Sequence, residues 1–212
     1  MITITIPTTG RFEKLKACID SIPKDNEIQI LIGCRSIRED IPLAFLKDTR
    51  IKVFETNDFP VGVQNMLAQE IIPGSHLLPI SDDIIFAPKA IETALEALNR
   101  HFPDGHGIVG FNVSNLIEKY RSPYSYMLIS SEFLKIRLKG VPFYYKYLHF
   151  FADVDLGRFA EKMGRFILCK EAEVIHYHPS AGHTADKTHN KNRQLKWQYD
   201  HDLFNERNKE HI

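Results

Sequence analysis

The chain reads as a single α/β domain with a mostly parallel central sheet flanked by helices, on three observations. Runs rich in β-branched residues alternate repeatedly with stretches whose apolar residues recur at helical spacing, the pattern of a parallel sheet covered on its faces. The 212 residues are enough for one domain with a sizeable core, and 43% hydrophobic with 25% charged residues is the balance of a soluble globular chain. One apolar run, Leu77-Leu78-Pro79-Ile80, stops at Ser81 and two adjacent carboxylates, Asp82 and Asp83, and ligands in such sheets sit at the carboxyl ends of strands.

Ile2, Ile4 and Ile6 alternate with threonines as a strand does, and Pro7-Thr8-Thr9-Gly10 ends it. Phe12, Leu15, Cys18, Ile19 and Ile22 mark a helix, with Thr8 or Thr9 available as its cap. Ile28 to Ile32 is a buried strand closed by Gly33-Cys34-Arg35-Ser36, and Ile51 to Phe54 is a third strand. A helix around Val63 to Ile72 is broken by Pro73-Gly74 ahead of the Leu77 strand. Pro88 is placed to open the next helix, striped by Ile91, Ala94, Leu95 and Leu98, and Gly107 to Phe111 is another strand. Leu156, Phe159, Ala160 and Met163 share a helical face whose first turn holds Asp153 and Asp155 and whose stop is Gly164. Two strands follow, Phe166 to Cys169 and one from Glu173 that ends in His176 and His178. Leu195, Tyr199 and Leu203 predict a docked helix in the tail, with Trp197 on a second face. Residues 1–180 are assigned to the domain and 181–212 to the docked tail.

Lys+Arg and Asp+Glu both number 27, so the overall cationic field that accompanies tight nucleic-acid binding is missing. The three cysteines, Cys18, Cys34 and Cys169, lack metal-ligand spacing and suit buried thiols in a reducing compartment. No charged leader precedes an apolar block at Met1, and no apolar run is long enough to span a bilayer, which leads to a cytoplasmic expectation without an integral membrane segment.

Two acids side by side repel, and a hard divalent cation between them and a polyanion relieves that repulsion; the alternative is a pair of solvated acids near a helix N-terminus. Asp153 and Asp155 sit where a helix dipole favours a carboxylate, and either could be only a cap. His176 and His178, two residues apart in extended chain, point to one side and can share a metal or phosphate. His183 and His189 raise zinc, but the compact pattern of a zinc site is missing. Residues 120–151 hold six of the eight tyrosines with interleaved cations, a stretch suited either to stacking on a ligand or to amphipathic packing with snorkelling lysines.

In order and spacing these features resemble the family 2 glycosyltransferases, nucleotide-sugar-dependent enzymes with the A-type nucleotide-diphospho-sugar transferase fold. Ile4-Thr5-Ile6-Pro7-Thr8-Thr9-Gly10-Arg11 looks like that family's opening strand and nucleotide-bordering loop, and Asn57 to Asn65 like the segment before its metal-motif strand. Ile80-Ser81-Asp82-Asp83 is similar to its acidic metal-binding motif. Phe151 to Leu156, Met163 to Phe166 and Ala172 to His178 look like its catalytic helix, returning strand and terminal histidine. The resemblance implies a nucleotide-binding set of Pro7, Thr8, Thr9, Arg11, Asn65 and Asp82, and metal contacts from Asp83 and from His176 or His178. It implies a manganese or magnesium cofactor and a catalytic base at Asp153, with Asp155 as its rival because Ala152 stands where an acid often precedes the base. A carboxylate base opposite a neutralised leaving group suits direct inverting displacement.

Gly33-Cys34-Arg35 departs from the acid that reads the base in many members, so UDP-sugar is a default donor. The acceptor could be a glycan, a lipid carrier, a protein or a modified nucleic-acid base. Two other functions stay open: a sugar nucleotidyltransferase, for which Thr8-Thr9-Gly10-Arg11 is a poor glycine-rich loop, and a non-catalytic glycan- or nucleotide-binding module.

Overall fold

The alternating isoleucines and threonines form β1 (Ile2–Pro7), whose isoleucines enter one core while Thr3 and Thr5 are fully buried on the other face. The structure, a computed structural model, describes residues 1–116, 121–177 and 193–210. The further strands are β2 (Ile28–Cys34), β3 (Ile51–Glu55), β4 (His76–Pro79), β5 (Ile84–Phe86), β6 (Ile108–Val113), β7 (Met127–Ile129) and β8 (Phe166–His176). They make one sheet in the order β3-β2-β1-β4-β7-β6-β8-β5. The half from β3 to β4 is wholly parallel. In the other half β6 and β8 are parallel, while β7 and β5 pair antiparallel with their neighbours.

The longer helices are α1 (Phe12–Ser21), α3 (Pro60–Ala68), α4 (Ala90–His101), α5 (Ser131–Arg137), α6 (Ala152–Lys162) and α7 (Arg193–Glu210), with a short α2 (Ile37–Asp40) after β2. Apolar residues of α1 and α4 join the core on one face of the sheet, and those of α5, α6 and α7 join the core on the other, so the molecule has three layers. Leu78 and Leu77, neighbours in β4, belong to these two cores respectively, as strand alternation requires. Val63 and Leu67 of α3 cover Leu31 of β2 so closely that a Cβ at Gly33 would lie 2.3 Å from Val63 Cγ1. Among the described residues no helix is long and apolar enough to cross a membrane.

The α/β class and its helix-flanked sheet agree with the sequence reading, but several elements differ. The two strands expected between Phe166 and His178 are, over the described residues, one strand, β8: its register with β6 jumps from Phe111↔Cys169 to Asn112↔Glu173, so residues 170–172 form a bulge that absorbs the polar break. Ile84 to Phe86, which lie between the acid pair and the expected helix, pair with β8 as an edge strand. That pairing runs on through Ala87, whose N–H reaches Glu173 O at 3.0 Å, so Pro88 lies in a turn and α4 begins only after Lys89, at φ 65°. Neither threonine caps α1, since Thr8 uses its hydroxyl elsewhere. The expected docking face of α7 holds only at Leu203, which packs against the core. Leu195 and Tyr199 are exposed, while Asp200 and Phe204 are buried.

Pro79 and Ile84 are separated by four residues, yet β4 and β5 lie four strand positions apart. Flat, that separation is about 19 Å. Five Cα-to-Cα steps reach at most about 18 Å fully extended, and Asp82-Asp83 form a turn. The sheet must therefore curl, bringing the end of β8 back to the end of β4.

Candidate functional site

The curl places the carboxyl end of β4 against the carboxyl end of β8. Ile84 pairs with His176, and Tyr177 N–H donates to Asp83 O at 2.8 Å. The His176 side chain follows, with Nε2 3.3 Å from Asp83 Oδ1. Asn115 fixes the histidine's backbone from the other side, its amide accepting from His176 N–H and donating to His176 O, both at 2.9 Å.

Thr8 and Arg11, in the loop after β1, meet the acid pair from above. The Thr8 hydroxyl donates to Asp82 Oδ2 at 2.6 Å, and Thr8 N–H bonds to Gly33 O at 2.9 Å. The Arg11 guanidinium forks across the two acids: Nη2 pairs with Asp82 Oδ1, Nε lies 3.2 Å from Asp82 Oδ2, and Nη1 lies 2.9 Å from Asp83 Oδ2. Asp82 is wholly buried and Asp83 is 6% exposed. Burial pushes the Asp82 carboxyl up, against the pull of Arg11 and Thr8. Burial acts on Asp83 too, but His176, Arg11 and the Ser81 hydroxyl outweigh it and hold that carboxyl well below the usual range.

Ser81 carries the site towards α6. Its hydroxyl donates to Asp83 Oδ1 at 2.6 Å and lies 2.8 Å from the Tyr126 hydroxyl. The Tyr126 ring meets His176 edge-on at 5.5 Å. Burial raises the Tyr126 phenol well above its ordinary value, and the charges of Asp83 and Asp153 add to the effect. Asp153 sits in the first turn of α6, just past Phe151, a non-glycine residue at φ 62°. Such left-handed residues are uncommon and gather at functional sites. The Asp153 side chain keeps some exposure, but protein crowds its carboxyl enough that desolvation raises its pKa to about 6, despite an opposing bond from Val154 N–H.

Asp155 projects elsewhere. Its Oδ2 accepts from Arg207 Nε of α7 at 2.9 Å. Asn65 spends its amide on the backbone of Phe143, donating to O at 2.9 Å and accepting from N at 3.0 Å. Pro7 closes β1 opposite Gly33, Thr9 is exposed beside it, and His178 lies outside the described residues. Within 120–151, Tyr126, Phe133, Phe143 and Tyr147 are buried in the cores, whereas Tyr145 is exposed. Sequence reasoning missed Ser81, Tyr126, Asn115 and Gln64. Gln64 donates to Thr5 O at 3.2 Å and Ile80 O at 2.9 Å, bracing the ends of β1 and β4. A lone serine, tyrosine or amide gives no spacing signal; only Ser81, adjacent to the acids, was within reach.

Among the described residues no three His, Cys, Asp or Glu side chains group as a metal cluster. Asp83 Oδ1 and His176 Nε2 nevertheless stand close to the roughly 3 Å spacing of adjacent ligands on a small divalent ion. Two protein ligands fit a cation that completes its shell with phosphate oxygens and water, as magnesium does.

No family model and no curated protein matches the chain in sequence. In structure it is similar to S. aureus TarS 1-349, at 10% identity and TM-score 0.61, over 80% of this chain and 58% of that one. A second TarS structure, in complex with UDP-GlcNAc, aligns over 53% of this chain and 34% of that one, at 12% identity and TM-score 0.45. The 4-diphosphocytidyl-2C-methyl-D-erythritol synthase of Anaerococcus prevotii aligns over 95% of this chain and 96% of its own, at 13% identity and TM-score 0.54. The chain thus spans about a third to under two thirds of the TarS structures. It has the nucleotide-diphospho-sugar transferase fold.

Proposed function

We propose that the chain transfers a sugar from a nucleotide-sugar donor to a nucleophilic acceptor, by direct displacement with a divalent cation on the donor diphosphate. One observation carries the reading: Arg11, Asp82-Asp83 and His176, from three separate parts of the sequence, meet through hydrogen bonds and ion pairs beside Ser81 and Tyr126 at one end of the curled sheet, and the charge of Asp153 acts on the same Tyr126.

In this reading Asp83 and His176 hold magnesium or manganese. Bound there, the ion neutralises the departing diphosphate. Asp82 is too buried to touch the donor and acts as a positioning residue, fixing the Thr8 loop and, before donor and cation bind, Arg11. Asp153 is the base. With a pKa of about 6 it is ionised at neutral pH and basic enough to take the proton from an acceptor hydroxyl. Asp155, paired with Arg207, holds α7. Gly33 is packed against α3 and Cys34 is buried, so neither is placed to read a base, and UDP stays a default.

The match to the synthase over nearly the whole of both chains keeps sugar nucleotidyl transfer as a second reading. A panel of sugar nucleotides, screened for thermal stabilisation with and without manganese and then for turnover, separates the cases. Glycosyl transfer predicts cation-dependent stabilisation and release of nucleoside diphosphate. Pyrophosphate release from a nucleoside triphosphate would replace it with nucleotidyl transfer. Cation-dependent binding without turnover would make the chain a binding module.

A further inference from the structure

Arg11 does something that a donor-contacting residue need not do: it already neutralises the acids that would hold the cation. Its fork spans both carboxylates, which are almost inaccessible, while its own side chain is 22% exposed at the mouth of the site. Asp83 is the shared point. Its Oδ2 takes the Arg11 Nη1 and its Oδ1 faces His176 and Ser81, so a cation on Asp83 and His176 would lie within a few ångströms of the guanidinium. Two positive centres that close, on one buried carboxylate, repel strongly in a weakly screened site.

Resting on the function proposed above, we infer that Arg11 is an internal counter-ion exchanged on loading: the divalent cation takes its place at Asp83, and the guanidinium turns out onto the donor's diphosphate. The exchange conserves charge pairing. Before loading, Arg11 offsets part of the charge of the acid pair; afterwards the cation does so, and Arg11 gains a diphosphate, for which its planar fork is suited. The partial exposure of Arg11 gives it room to turn, and the burial of Asp82 and Asp83 leaves the acids where they are. Cation and nucleotide then bind synergistically. The cation alone must expel Arg11 with no new partner for it, and the nucleotide alone meets an arginine already engaged.

Manganese titration followed by electron paramagnetic resonance tests this, on the wild type and Arg11→Met, alone and with UDP, GDP, CDP or dTDP. The wild type should bind manganese weakly alone and at least about tenfold more tightly with one of the nucleotides. Arg11→Met should bind manganese alone at least about tenfold more tightly than the wild type, and should lose most of the gain from nucleotide. Equal manganese affinity of the two proteins, with synergy intact in both, would overturn the exchange and leave the proposed function standing. No manganese binding by the wild type with any nucleotide would overturn both. Because Arg11→Met could unfold, the exchange is also read in the wild type by NMR of the Arg11 Nε–H, protected in the free protein. Saturation with magnesium and the binding nucleotide should shift it by releasing the Asp82 contact, and an unchanged signal at saturation would contradict the exchange.

Discussion

Asp153 shows how one residue can be costly to the fold and useful to the chemistry. Its pKa is raised by burial, so the folded protein disfavours the ionised form. For a carboxyl raised from near 3.8 to about 6, the penalty is absent below pH 3.8, grows through the interval, and is complete above about 6. Asp153→Asn should therefore stabilise the protein at pH 7.5, on the order of 1–2 kcal/mol, with little effect at pH 4, as measured by urea unfolding at the two values. The same variant should lose transfer by on the order of a hundredfold or more while donor binding persists, and wild-type transfer should fall as pH drops through about 6. If Asp155→Asn proved the more damaging change, the base would be misassigned. His76 makes a second pH-dependent contribution. Its Nδ1 accepts from Ser131 N–H at 3.1 Å at the start of α5, and burial, helped by the N-terminal amine, lowers its pKa. A histidine with a lowered folded pKa stabilises above about pH 6.5 and loses that contribution as pH falls towards the folded value. His76→Gln should accordingly flatten the fall in urea midpoint between pH 7.5 and 5.5.

At the scale of elements, the proposed base, Asp153, depends on how α7 is fastened. Asp200 is fully buried and accepts three successive N–H groups, from Leu148 at 2.9 Å, His149 at 2.8 Å and Phe150 at 2.7 Å. Those residues lead directly into Phe151 and the first turn of α6, so α7 shapes the approach to Asp153. Removing the carboxylate leaves three amides without their partner, at a cost of about 1–3 kcal/mol or more. Asp200→Ala should lower the thermal midpoint and speed proteolysis within α7, and equal cleavage rates in the two proteins would count against the clamp. Gly157 serves the same packing: a Cβ there would lie 2.1 Å from the Tyr124 ring. The elements themselves were legible to different degrees. β1, β2 and α4 follow from the pattern of the sequence, the two strands because their β-branched runs are buried on both faces and α4 because its apolar residues fall on one face. The docking face of α7 was not, because it is organised by a buried aspartate whose partners are backbone amides, and no pattern of apolar residues reports that. β5 and the bulge in β8 were hidden for a related reason, since both depend on long-range pairing, β5 with a segment some ninety residues on and the bulge with β6 some sixty residues before it.

For the molecule as a whole, the curled sheet is what turns scattered residues into one site. The acid pair, the helix that opens with Asp153 and the histidine strand could be picked out from the sequence because each has a local pattern, and their order along the chain suggested the fold. The role of Arg11 could not be read in the same way. Its contacts with Asp82 and Asp83 cross more than seventy positions, and nothing near Arg11 in sequence announces them. Asn65 carries the opposite lesson: it stood in a segment resembling the one before the metal-motif strand and was counted with the nucleotide-binding set, yet its amide closes on Phe143.

Calorimetric titration of nucleoside diphosphates into the wild type, Asp83→Asn and Asp153→Asn, with and without manganese, tests the shared site most directly. Binding by the wild type should depend on manganese, vanish in Asp83→Asn and survive in Asp153→Asn. Nucleotide affinity that is indifferent to both manganese and Asp83 would contradict it.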